Sequence, residues 1–75
     1  MPRYFFHVKR GPVTILDQKG VELGNTADAV KEAARRAEKI VTEEALNGTP
    51  VTQGLIVVTD DNSLRLFEWP FGVSR

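Results

Sequence analysis

Apolar and polar positions recur along this chain in two rhythms. From Thr26 to Gly48 the apolar residues Val30, Ala33, Ala34, Ala37, Ile40, Val41 and Ala45 return at helical steps, on one face of an α-helix. Lys31, Glu32, Arg35, Arg36, Glu38, Lys39 and Glu43 fall mostly on the opposite face. Thr26 is the expected N-cap, because its hydroxyl can accept from a free amide of the first turn. Asp28 sits where the helix dipole favours negative charge. Asn47-Gly48 predicts a left-handed stop, after which Pro50 prevents continuation. Glu32 with Arg35 and Arg36, and Lys39 with Glu43, are spaced to pair on the helix surface. Glu43 and Glu44 crowd the negative end of the dipole, a small cost.

Elsewhere the rhythm is two. Tyr4 to Val8 reads as a strand, with Tyr4, Phe6 and Val8 on one face and Arg3, Phe5, His7 and Lys9 on the other. Arg10-Gly11-Pro12 breaks it, and Val13 to Leu16 returns as the second arm of a hairpin. Asp17-Gln18-Lys19-Gly20 is a turn in which Asp bonds its own backbone and Gly takes the left-handed position. Val21-Glu22-Leu23 is a short extended piece before the helix. Gly54 to Thr59 is the most β-prone run, and Leu55 to Val58 are four consecutive large apolar residues. Such a run predicts a central strand covered on both faces. Asp60 to Ser63 is a turn, and Leu64 to Trp69 is the last strand, which Pro70 is expected to stop. The order is β-β-α-β-β. It predicts an α+β fold, one four-stranded, mainly antiparallel sheet with a single helix packed on one face, in one domain spanning 1–75.

One helix covers one face of such a sheet. On the other, large side chains remain whichever face the helix takes. Phe5 and His7 alternate against Tyr4 and Phe6, Phe67 and Trp69 against Leu64 and Leu66, and Val57 against Val58. A contiguous apolar patch marks an interaction site, and a second copy of the chain is its simplest cover. The expectation is a homodimer through the open face or through a sheet edge, with Phe5, His7, Phe67 and Trp69 as interface residues and a further protein partner allowed. The alternative is that Pro70-Phe71-Gly72-Val73 folds back over the patch.

Composition supports association and narrows the chemistry. At 75 residues a single core supplies rarely more than ~3–5 kcal/mol. There is no Cys, which removes disulfides, thiolate zinc sites and redox motifs. A single His removes a multi-His metal site within one chain. Ten basic residues balance ten acidic ones, so the positive surplus usual in nucleic-acid binders is missing. The opening Met1 to Phe6 lacks the apolar core of a signal peptide, and no apolar run approaches the ~20 residues that span a bilayer. A soluble, cytoplasmic protein without membrane contact is expected.

Individual residues add little chemistry. Histidine is the usual general base near neutral pH, but without a nucleophile and oxyanion site His7 reads as a strand or interface residue rather than a general base. Asp60, Asp61 and Asn62 offer oxygens without the ligand ladder of an EF-hand and read as a turn. Asn47-Gly48-Thr49 matches the glycosylation triplet, and the helix stop is the better account. Lys9-Arg10 and Arg35-Arg36 are basic spots offset by acids. Tyr4, Phe5, Phe67 and Trp69 are residues of the kind that stack unpaired bases, here without surrounding positive charge. No Gly-rich phosphate loop, nucleophile elbow or metalloprotease motif is present. No catalytic, cofactor or metal residue is assigned; the chain reads as non-enzymatic, with a site assembled between subunits left open.

Met1-Pro2-Arg3-Tyr4-Phe5-Phe6-His7, the turn Asp17 to Gly20 with Val21-Glu22-Leu23, the alanine-rich helix, Val58-Thr59-Asp60 and Pro70-Phe71 together resemble a family of short bacterial proteins of unknown function. The resemblance covers nearly the whole chain and implies no activity. The chain departs from it at Lys9-Arg10-Gly11-Pro12, which replaces a more acidic turn. Asp17 to Ala37 is also similar, more faintly, to the small antitoxin partners of Hic-type toxin–antitoxin pairs. That likeness implies the alternative function, a regulator binding nucleic acid or a toxin.

Overall fold

The computed structural model describes residues 2–48 and 53–72; Pro50 and Val73 lie outside them. Five strands and one helix follow in the order β1 (Arg3–Arg10), β2 (Val13–Ile15), β3 (Val21–Glu22), α1 (Thr26–Leu46), β4 (Gly54–Thr59) and β5 (Arg65–Phe71). The sheet is antiparallel and runs β2-β1-β4-β5, with β3 also paired to β1. The α+β class with a single helix is thus observed. The expected four-stranded sheet gains a fifth member, because Val21 and Glu22 pair with Tyr4 and Arg3.

Strand pairing assigns the faces. Phe6 lies opposite Val58 and Val8 opposite Ile56, while Ile56 and Val58 lie opposite Trp69 and Phe67. These residues share the face that α1 covers. The core is Tyr4, Phe6, Ile56, Val58 and Phe71 from the sheet with Ala29, Ala33 and Ala37 from the helix. Alanines at every fourth position let the helix backbone sit close to the strands. α1 packs on β4 and β5, and Ile56 and Val58 are fully buried. Gly54 serves the same closeness, since a Cβ there would overlap the Phe71 ring.

The helix begins one residue earlier than expected. Asn25, not Thr26, is the N-cap, its Oδ1 accepting from the Asp28 N–H at 2.9 Å. At the other end Gly48 takes a φ of +71°, the expected left-handed stop. Glu32 accepts from Arg35 at 2.7 Å and Arg36 at 2.6 Å. Glu44, at the unfavourable end of the dipole, is paired with Arg10 of β1, so the small cost expected there is offset by a strand-to-helix tie.

Pro70 does not stop the last strand; β5 continues to Phe71. The Phe6 N–H points to Asp17, away from β4. Alternation of antiparallel bonding then turns Phe67 and Trp69 toward β4 and leaves Pro70 facing the free edge. An edge position needs no N–H donor, so proline is tolerated there. The irregularity between Val58 and Thr59 accommodates Leu66, which lies between the paired residues Arg65 and Phe67.

Candidate functional site

The face away from the helix has Phe5, His7 and Lys9 on β1, Leu55, Val57 and Thr59 on β4, and Arg65, Glu68 and Pro70 on β5. The ladder aligns Phe5–Thr59–Arg65, His7–Val57–Glu68 and Lys9–Leu55–Pro70 in three rows. Phe5, His7, Leu55, Val57 and Thr59 are half-buried by their neighbours, whereas Lys9, Glu68 and Pro70 are exposed. No helix or strand among the described residues lies over this face.

Phe5 and His7 are brought together as expected, their rings parallel within 4° and 6.4 Å apart between centroids. Phe67 and Trp69 are not with them. Their register opposite Val58 and Ile56 places them on the helix side, packed against the core. Phe71 is likewise buried on the helix side, so the residue expected to lead the C-terminal tail over the open face is part of the core instead. Leu55 and Val57 carry the apolar centre that Phe67 and Trp69 were expected to supply. The signal for them was the alternation within Leu55-Ile56-Val57-Val58, hidden by its being apolar throughout.

His7 is held at both ring nitrogens. The backbone N–H of Asp17 donates to Nδ1 at 3.0 Å, and Nε2 lies 3.0 Å from Thr59 Oγ1. A ring nitrogen that accepts carries no proton, so the proton sits on Nε2 and is donated to Thr59. The distance is that of a nucleophile–base pair, but the polarity is reversed. In a catalytic triad the base receives the hydroxyl proton at one nitrogen while the other donates to a carboxylate. Here a donor occupies that second position, which keeps His7 from taking the Thr59 proton.

Asp17 organises the adjoining edge. Its Oδ1 accepts from the Lys19 and Gly20 N–H groups and its Oδ2 from the Phe6 N–H, each at 3.1 Å. Burial pushes the carboxyl up, yet the bonds from Gly20, Phe6 and Lys19, together with the charge of Arg36, hold it below the usual carboxylate range. Between β2 and β3 this side chain therefore takes the place of a strand. Beside it, Phe5, His7, Asp17, Thr59, Asp60, Asp61 and Ser63 line a depression of about 190 Å³. Asp60 Oδ1 accepts from Asn62 and Leu64 N–H groups, and Ser63 adopts a left-handed φ of +63° to close the turn. Asp60 is thereby engaged as a turn cap, the role expected of it. Among the described residues no group of three or more His, Cys, Asp or Glu is placed to hold a metal ion.

The basic spots are largely neutralised. Arg35 and Arg36 converge on Glu32, and Arg10 on Glu44. Among the described residues no helix is long and apolar enough to cross a membrane. A family profile described as a domain of unknown function, DUF6894, matches residues 3–72. The chain belongs to the DUF6894 family. Its profile spans every strand and the helix, so the whole sheet-and-helix unit, open face included, is the family's unit. No curated protein and no solved structure matches the chain.

Proposed function

We propose that this protein is a small, non-enzymatic, cytoplasmic association module that pairs with a second copy of itself through the open sheet face. The observation that carries the reading is the patch of Phe5, Leu55 and Val57 on a face that no helix or strand covers among the described residues. Strands about 4.8 Å apart and about 3.4 Å per residue make the face roughly 20 Å on a side. Two such faces together reach the order of 1,000 Å², the lower end of specific interfaces.

A two-fold axis running along β4 lays β1 of one copy over β5 of the other. His7 and Lys9 then meet Glu68 and Pro70, and the apolar β4 columns meet each other. The arrangement is isologous, as a closed dimer requires. The reversed His7–Thr59 polarity supports a positioning role for His7 rather than proton transfer.

Sedimentation equilibrium tests the reading. The expected mass is twice the 8.4 kDa of one chain at micromolar concentration. Val57→Lys is expected to give single chains. A single-chain mass for the unaltered protein overturns the proposal.

A further inference from the structure

Between β2 and β3 the Asp17 to Gly20 segment runs along the edge of β1, and two side-chain contacts fasten it there. The Asp17 carboxylate accepts from the Phe6 N–H at 3.1 Å. His7 is the second fastening: its Nδ1 accepts from the Asp17 N–H at 3.0 Å, with Nε2 3.0 Å from Thr59 Oγ1. The fastened segment lies tight against β1. A Cβ on Gly20 would come within 2.8 Å of the Phe5 ring, and Arg3 donates to the Lys19 carbonyl at 2.8 Å.

The two fastenings tolerate protons differently. A backbone N–H only donates, so it requires a bare lone pair on Nδ1, and the ring's own proton is already committed to Thr59 at Nε2. Only the neutral ring fits; a second proton sets one N–H against another. Histidine is the side chain that ordinarily changes charge between about pH 5 and 8. We infer that His7 is a proton-operated catch: the neutral ring holds the Asp17 backbone against β1, and a second proton, on Nδ1, releases it. The charged ring has acceptors at hand, because Asp60 and Asp61 line the same depression. The other charges around it are Lys9, next on the same face of β1, and Glu68 in its row on β5, which Arg65 engages at 2.9 Å. Arg36 acts on the Asp17 carboxylate from the helix. That second fastening outlasts the first. Burial pushes the Asp17 carboxyl up, but the bonds from Gly20, Phe6 and Lys19 hold it below the usual carboxylate range. The segment therefore lets go in two steps as pH falls, the Asp17 amide first and the Phe6 N–H in stronger acid.

The catch lies within one chain, so a single-chain mass, which removes the pairing, leaves this inference standing. The test follows the full, isotope-labelled chain by NMR from about pH 8 to about pH 5.5. At the upper end the ring nitrogens should report a bare Nδ1, with a scalar coupling to the Asp17 amide across the hydrogen bond. As the ring gains its second proton, that coupling should vanish and the Asp17 amide shift should move in step, while the Phe6 amide keeps its protection. His7→Gln has no proton to gain and should hold the Asp17 amide shift constant over the same range. An Asp17 shift that moves as far in His7→Gln as in the unaltered chain overturns the proposal, because the carboxylates alone then account for it. A proton on Nδ1 at about pH 8, or a ring still neutral at about pH 5, overturns it as well. The ring and amide signals of the unaltered chain decide the matter even where the variant does not fold.

Discussion

β4 and β2 flank the same strand and meet opposite fates. Both pair antiparallel with β1, and both put apolar side chains on the helix side. Ile56 and Val58 of β4 are fully buried, whereas Val13 and Ile15 of β2 are more than half exposed. The difference is not in the residues, which are all β-branched. It lies in the second layer: α1, brought close by Ala29, Ala33 and Ala37, covers β4 and stops short of β2. An apolar strand is a core strand only where something packs on it, so β2 carries apolar surface that no described residue covers.

The sharpest way to break this contrast is to truncate both strands alike. Ile56→Ala should cost about 2–5 kcal/mol through lost burial and a cavity, most of what a domain of this size has. Ile15→Ala should stay within about 0.5 kcal/mol. Urea unfolding of the two variants measures the difference. Comparable losses would mean that β2 is buried in solution by something beyond the described residues.

Gly54→Val and Gly11→Val probe the ends of the same two strands. A side chain at Gly54 runs into the Phe71 ring, while one at Gly11 meets nothing within 4 Å and is opposed only by a φ of +53°. Overpacking at Gly54 should cost about 1–3 kcal/mol, and strain at Gly11 about 1–2 kcal/mol. The two are separable by near-ultraviolet circular dichroism, since only the Gly54 change moves the aromatic core.

How much of this was legible in the sequence depends on how local each feature is. The helix, its charge pairs and its glycine stop follow from spacing within α1 alone. The faces of β1 follow from strict alternation, so Phe5 and His7 could be placed together on the open side. Phe67 and Trp69 could not, because their face is set by pairing with β4 across an irregular step. Asn25 and Thr26 are adjacent capping residues, and only the backbone geometry decides between them. Pro70 looked like a terminator because a free edge is a property of strand order.

Acid supplies a smaller test of the β2 side. β4 gives β1 a continuous ladder of backbone partners, whereas between β2 and β3 the partner of the Phe6 N–H is the Asp17 carboxylate. Asp17 is held below its ordinary pKa, and Glu32, bonded by Arg35 against an opposing burial effect and then by Arg36, is lowered to about 2. A group whose folded pKa is depressed stabilises fully above its unfolded value and loses that contribution as pH falls through the folded one. Stability should therefore decline from about pH 4 toward pH 2. Asp17→Asn should be less stable near neutrality and show a shallower acid decline. In hydrogen exchange at pH 3, the amide of Phe6 should lose protection before that of Val57, because the edge held by a carboxylate opens before the edge held by a strand. Simultaneous loss would place both edges of β1 in one cooperative unit, and the contrast between β4 and β2 would then be one of burial alone.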